Sequence, residues 1–313
     1  MKKYGFGVDI GGTTCKLGLF ETTGTLMEKW EIPTDTSSEG KNILPDIAKS
    51  LKEKMEEQII GMEDIEGIGI GLPGPVRSDG VVPMCVNLGW KNKNVAKEME
   101  ALMEGIKAKA ANDANVAALG EMWQGGGTGC KNLVMVTLGT GVGGGIIVDG
   151  EIMPGSNGAG GEIGHITVNR NETVPCNCGR KGCLEQYASA TGIARIAKEH
   201  LAKDHESSLL EEIGEITAKA VFDVYKNGDK TAEAIVEEFA QVLGYALSNL
   251  ACVLDPEVFV IGGGVSKAGK PLLDAVEKYY RQAAFSSCDS IRFALAALGN
   301  DAGMYGCVKL ILE

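Results

Sequence analysis

The sequence predicts a two-domain α/β protein in which two meander-plus-helix units face a cleft, with a structural metal knot beside it. Three observations predict this. First, an apolar strand, a small polar turn, a second strand, a turn and a third strand occur over residues 4–32 and again from Leu133 to just past Gly150. Second, the apolar stretch Ile106–Ala111 runs into Asn112-Asp113-Ala114-Asn115 and then a helical pattern, and strand ends of this kind are where open α/β sheets place ligands. Third, Gly161-Glu162-Ile163-Gly164-His165 is followed by Cys176-Asn177-Cys178-Gly179-Arg180-Lys181-Gly182-Cys183-Leu184-Glu185. Three thiolates and one imidazole complete a tetrahedral zinc set. No coordination position is left open, so such an ion shapes the protein and does not attack a substrate.

In chain order, Tyr4–Ile10 alternates apolar and small residues, and Cys15–Phe20 and Leu26–Ile32 continue as strands around a turn at Thr23-Gly24. Glu39–Ile60 has helical periodicity. Ile65–Gly71 reads as a buried strand that stops at Leu72-Pro73-Gly74-Pro75, and Val95–Met103 and Val116–Trp123 read as helices. The second meander places strands at Leu133–Leu138 and Val142–Val148, with a turn at Asp149-Gly150. Ala188–Leu254 is mostly helical up to the Asp255-Pro256 stop. A strand at Val258–Ile261, a helix from about Pro271, a strand at Ile291–Leu295 and a last helix from Asp301 complete the chain. The expected division is a small domain 1–119, completed by the C-terminal helix 300–313, and a larger domain 120–299 that carries the knot at 165–183.

At 313 residues, with 44% hydrophobic and 23% charged residues, the chain has the material for a large core. The formal net charge of -12, without a basic stripe, argues against a nucleic-acid partner. No apolar run is long enough to span a membrane, and the first residues enter a strand with no signal-peptide core. Of the nine cysteines, three belong to the knot. Cys15, Cys85, Cys130, Cys252, Cys288 and Cys307 lie among apolar neighbours and read as reduced core residues, which points to the cytoplasm. His200 and His205 fall in a charged helical region and read as solvated.

Two glycine-rich corners carry the chemistry of an anion. Asp9-Ile10-Gly11-Gly12-Thr13-Thr14 turns between strands with backbone N–H groups and hydroxyls available to phosphate, and Asp9 is suited to hold a divalent cation through water. An ordinary hairpin turn accounts equally well for that stretch alone. Gly139-Thr140-Gly141-Val142-Gly143-Gly144-Gly145 is the matching corner in the second meander, and it fits neither a Walker loop nor a dinucleotide fingerprint. Together the pair suggests two phosphate loops closing on one nucleotide. Gly262-Gly263-Gly264-Val265 suits a backbone platform for adenosine or simply a loop before a helix. Asp113 is placed to take a proton from a substrate hydroxyl, and Asn112-Asp113 also fits a helix cap. Glu162, His165 and Glu185, gathered beside the knot, suit a polyhydroxylated small molecule.

These segments together resemble the ROK family of sugar kinases and related repressors, over nearly the whole chain. The resemblance implies the actin-like, ribonuclease H-like ATPase fold with a cleft between its domains, and it is closest to the ATP-dependent glucokinase members. It implies Asp113 as general base toward a hexose 6-hydroxyl. Gly74, Pro75, Asn87, Asn112, Glu162, His165 and Glu185 would hold the sugar. Asp9, Gly11, Gly12 and Thr13 would face the γ-phosphate and Mg²⁺, and Thr140, Gly141, Gly263 and Gly264 the rest of ATP. His165, Cys176, Cys178 and Cys183 would hold structural Zn²⁺, with the second ring nitrogen of His165 facing sugar. Gly160 departs from the family's usual alanine and is expected to loosen its loop. The same hydroxyl-binding set serves kinases of N-acetylglucosamine, N-acetylmannosamine, mannose or fructose, and family members also include sugar sensors. The resemblance and the long apolar helix around Ala234–Leu254 imply a homodimer.

Overall fold

The structure is a computed structural model and describes residues 2–77, 79–203 and 207–313, so His205 lies outside the described residues. The opening meander is β1 (Tyr4–Ile10), β2 (Thr14–Glu21) and β3 (Leu26–Pro33). The helical pattern expected from Glu39 starts later. A distorted turn, α1 (Ser37–Gly40), holds Ser38 and Glu39 at positive φ, and the continuous helix α2 runs Ile43–Gln58. Then come β4 (Ile65–Leu72), a hairpin of β5 (Val81–Cys85) and β6 (Trp90–Asn94), α3 (Val95–Leu102), β7 (Ala108–Asn112) and α4 (Asp113–Gln124).

The second half contains β8 (Leu133–Leu138), β9 (Val142–Val148) and β10 (Glu151–Ile152). Four helices follow: α5 (Glu185–Ala188), α6 (Ala190–Lys203), α7 (Ala218–Lys226) and α8 (Lys230–Leu254). The chain ends with β11 (Val258–Gly262), α9 (Lys270–Ala283), β12 (Arg292–Leu295) and α10 (Ala302–Ile311). The strand orders β3-β2-β1-β4-β7 and β10-β9-β8-β11-β12 are the same topology twice, an antiparallel meander extended by two parallel strands, so the internal repeat read from the sequence is present.

Two compact units divide the chain. The first holds residues 1–131, 145–161 and 297–313; the second holds 132–144 and 162–296. In the first, α2 turns Ile43, Leu44, Ile47, Leu51 and Met55 into a core with Phe6, Val8, Leu17 and Leu19 of the sheet. Helix α10 approaches α4 backbone to backbone: a Cβ on Gly306 would lie 1.6 Å from the Val116 carbonyl oxygen, so only glycine fits. In the second unit α8 buries Ile235, Val236, Phe239, Leu243 and Leu247, with Tyr245 and Val253 left exposed. Its apolar face is thus consumed inside its own unit, so the helix no longer argues for a dimer, and that expectation rests on the resemblance alone.

Two further expectations change and one holds. Cys252 is exposed and Cys130 half-buried, so only Cys15, Cys85, Cys288 and Cys307 of the scattered six are core residues. His200 is half-buried and lies 2.8 Å from the Glu238 carboxylate, so it is paired and not simply solvated. Among the described residues no helix is long and apolar enough to cross a membrane.

Candidate active site

In the first unit the Asp9 corner and the start of α4 come together. Gly11 N–H donates to the Thr14 carbonyl at 3.0 Å, and the Thr34 hydroxyl donates to the Gly11 carbonyl at 2.8 Å, which fixes the turn. Gly12 and Thr13 are exposed, and no protein atom lies within 4 Å of a Cβ built on Gly12, so the corner's outer surface is open to a ligand. Asp9, at the end of β1, has its pKa raised to about 6. Burial is the main cause and the Asp113 charge adds to it, while Lys16, 4.0 Å away, opposes. Two carboxylates that raise one another's cost of ionisation suit a shared cation, so Asp9 fits the Mg²⁺ role.

Asn112 caps α4: its side-chain oxygen accepts from Ala114 N–H at 3.0 Å and Asn115 N–H at 3.2 Å. Its amide nitrogen donates to the Gly74 carbonyl at 3.2 Å and to Asp113 Oδ1 at 2.9 Å. Ala114 N–H donates to the same Asp113 oxygen at 2.8 Å. Both readings of Asn112-Asp113 therefore hold in part. The amide is a working cap, and its remaining donors orient the Asp113 carboxylate and pin the Gly74-Pro75 turn. Asn87 is exposed at the tip of the β5–β6 hairpin, anchored by buried Leu88 and by Trp90, whose indole N–H donates to the Gly40 carbonyl at 3.0 Å.

Gly160 does not loosen its loop. Its N–H donates to the Pro154 carbonyl at 2.8 Å, and a Cβ there would lie 2.2 Å from the Met153 carbonyl oxygen. Glycine here permits a close approach that alanine would prevent.

The second unit holds the knot and its acids. Donor atoms of His165, Cys176, Cys178 and Cys183 lie within 4.8 Å of one another. The Cys178 and Cys183 sulfurs are 3.7 Å apart, and Cys176 Sγ is 3.9 Å from His165 Nδ1. Metal–sulfur bonds of about 2.3 Å at tetrahedral angles put two sulfurs about 3.8 Å apart, so the Cys178–Cys183 pair has the spacing of zinc ligands and the donor set fits a tetrahedral ion once its more distant members draw in. The knuckle closes through Cys176 N–H to the Arg180 carbonyl at 2.7 Å. It also needs Gly182, whose φ is +72° and where a Cβ would fall 1.7 Å from the Asn169 carbonyl oxygen. His165 Nδ1 faces Cys176, whereas Nε2 lies 4.0 Å from the Glu162 carboxylate. Glu185 Oε1 is 3.9 Å from His165 Nδ1 and accepts from Cys176 Sγ at 2.9 Å. The three groups read from the sequence as a hydroxyl clamp are thus one cluster on the knot.

The glycine corner of the same unit is tied to the start of α6. Ala190 N–H donates to the Gly139 carbonyl at 2.8 Å and the Thr191 hydroxyl to the Thr140 carbonyl at 2.7 Å. Gly141 packs against Glu185: a Cβ on it would lie 2.6 Å from the carboxylate. Gly263 backs onto Leu138, and Gly264 lines a cavity of about 310 Å³ walled by Ala190, Ala218, Phe222 and Val265, with Thr217 and Lys267 at its edge. A more open groove with Thr140, Thr191 and Arg195 adjoins it through Ala190, Thr217 and Ala218.

The ROK family model matches residues 5–313. The chain belongs to the ROK family. Among its relatives, a glucokinase of Halalkalibacterium halodurans is 46% identical over 305 residues, covering 96% of this chain and 92% of that one. A glucokinase of Thermotoga maritima is 36% identical over 316 residues, covering 98% and 96%. A solved structure described as a ROK family glucokinase from Streptomyces griseus in complex with glucose and AMPPNP superposes with a TM-score of 0.74 at 32% identity, covering 98% of each chain.

For this ROK chain, sequence reasoning found both corners, the capped Asp113 and the knot. It missed Ala190, Thr217, Ala218, Phe222 and Lys267 around Gly264, because they come from three separate segments with no local motif. It also missed Glu121. That side chain is fully buried on α4 and accepts from Gly126 N–H at 2.8 Å and from Ala297 and Leu298 N–H, both at 2.9 Å. In the sequence it looks like any solvated helix glutamate.

Proposed function

We propose that this chain transfers the γ-phosphoryl group of ATP to the 6-hydroxyl of glucose. The observation that carries the reading is the clamp of Glu162, His165 and Glu185 on a zinc-ready knot, in a chain 46% identical over nearly its whole length to a protein named glucokinase.

In this reading Asp113 is the general base. A sugar hydroxyl is far too weak an acid to be deprotonated in the ground state, so the carboxylate orients the oxygen and takes the proton as the bond to phosphorus forms. The hydrogen bonds from Asn112 and Ala114 to Asp113 Oδ1 fix the orientation this requires. Asn112, Asn87, Gly74 and Pro75 serve the sugar, and so do Glu162, His165 Nε2 and Glu185. Thr140 and Gly141 serve phosphates, and the apolar cavity beside Gly263 and Gly264 takes adenine. Asp9, with Gly11, Gly12 and Thr13, serves the γ-phosphate end. Mg²⁺, when bound, supplies positive charge against the phosphate oxygens there. His165, Cys176, Cys178 and Cys183 would hold Zn²⁺, and that bond would fix the direction of the His165 ring. A cytoplasmic homodimer is the setting we propose for this activity.

A coupled assay with Mg·ATP and a panel of glucose, mannose, fructose, N-acetylglucosamine and N-acetylmannosamine tests the reading. The expected result is the highest kcat/KM for glucose. A higher value for another hexose would reassign the substrate, and no turnover on any would remove the kinase reading.

A further inference from the structure

One half-buried ionic network in the second unit takes no part in the chemistry above. Glu172, with only 8% of its side chain exposed, accepts on one oxygen from the Tyr187 hydroxyl at 2.6 Å and from Arg195 Nη1 at 2.9 Å. Its other oxygen accepts from the N–H groups of Thr173 at 2.9 Å and Val174 at 3.0 Å. These donors, Tyr187 foremost, hold the Glu172 carboxyl at about 2, so the group stays ionised at any working pH. Asn169 Nδ2 donates to the Tyr187 hydroxyl at 2.8 Å, and the Arg195 guanidinium lies 4.8 Å from the centre of the Tyr187 ring. Arg195 Nη2 donates to the Gln186 carbonyl at 3.1 Å.

Through Tyr187, held by Glu172, Asn169 and Arg195, and through the Gln186 carbonyl, held by Arg195, this network grips α5, the four-residue helix that begins with Glu185. One helical turn has no stability of its own and takes its position from what grips it. Gln186 is gripped twice more, its amide nitrogen donating to the Val174 carbonyl at 3.0 Å and its oxygen accepting from Cys183 N–H at 3.1 Å. The knot, by contrast, closes through its own backbone bonds at Cys176 and Gly179. Cys183 is shared by α5 and the knot, so zinc content read beside sugar affinity tells a displaced α5 from an opened knot.

We propose that Glu172, Tyr187 and Arg195 form a brace that positions Glu185 for the sugar, which makes them positioning residues for hexose affinity; this rests on the glucokinase reading of the site. Arg195 also lines the groove beside Thr140 and Thr191, so the same side chain fixes the sugar acid and forms part of the nucleotide wall. Glu172 and Tyr187 do not line that groove and give the cleaner test.

The test compares Glu172→Gln and Tyr187→Phe with wild type for glucose Kd by calorimetry, for KM of glucose and of Mg·ATP, and for zinc per chain. Glucose Kd and KM are expected to rise about tenfold in Glu172→Gln and about threefold in Tyr187→Phe, with KM for Mg·ATP within about twofold and zinc retained. Unchanged glucose affinity in folded variants overturns the proposal. So does a loss of glucose affinity that tracks a loss of zinc, since the network would then merely support the knot. Should Glu172→Gln not fold, Tyr187→Phe, which removes one hydroxyl, decides alone. Wild-type protein that binds no glucose overturns the functional reading and the brace with it, whereas wild-type binding beside unaffected variants overturns only the brace.

Discussion

Asp9→Asn should make the protein more stable and catalytically dead. The Asp9 carboxyl sits at about 6 against an ordinary 3.8, a rise of about two units caused first by burial. At about 1.4 kcal/mol per unit, ionised Asp9 costs the fold up to about 3 kcal/mol. The sign follows from the raised value. The penalty is complete above the folded pKa of about 6, shrinks as pH falls toward the unfolded value near 4, and is gone below it. Asparagine carries no charge, so its gain is largest at pH 7–8, about half that near pH 5, and small below about pH 4. Lys16 loses a partner only at 4.0 Å, which returns little of the gain. A net effect of about 1–2 kcal/mol should raise Tm by several degrees at pH 8. The assay is thermal unfolding of both proteins at pH 5 and pH 8, without Mg²⁺ or nucleotide, followed by the same melts with Mg·ATP. Wild type should gain stability from Mg·ATP and the variant little. A variant less stable than wild type at pH 8, or one that keeps its turnover, refutes the argument that Asp9 is a strained, cation-seeking carboxylate.

Other substitutions test the remaining parts. Asp113→Asn should lower kcat by about 10²–10⁴ while glucose Kd from calorimetry stays within a few-fold; retained turnover removes the base assignment. Cys178→Ser should lose metal by elemental analysis and raise the KM for glucose together, and unchanged sugar affinity in a metal-free variant would separate knot from clamp. Glu121→Gln replaces one oxygen with an amide that cannot accept, leaving at least one of the N–H groups of Gly126, Ala297 and Leu298 unpaired. Denaturant titration should show a loss of about 2 kcal/mol, and a neutral result would mean the buried carboxylate is dispensable.

How legible each part was depended on whether its cause is local. The β1–β3 meander declares itself through alternation and turn glycines, and β3 alternates half-buried and exposed along its length. Cysteine spacing and the Asn112 cap are likewise written in a few adjacent residues. The β5–β6 hairpin was not legible. Pro83 interrupts the first strand, the second reads Trp90-Lys91-Asn92-Lys93-Asn94, and what holds the pair is tertiary burial of Leu88 and Trp90. The helical pattern starts at Glu39 in the sequence because glutamate is a good helix residue locally, but Glu39 sits at positive φ here and α2 begins only at Ile43. The cavity beside Gly264 and the Glu172–Tyr187–Arg195 network depend on side chains many residues apart, which no periodicity connects.

The most direct test of the whole account follows glucose 6-phosphate formation from glucose and Mg·ATP in protein whose zinc content has been measured. The account predicts one zinc per chain and one hexose phosphate per ATP consumed, with metal and activity lost together under a strong zinc chelator. Protein that carries no zinc yet phosphorylates glucose, or that carries zinc and only hydrolyses ATP, contradicts it.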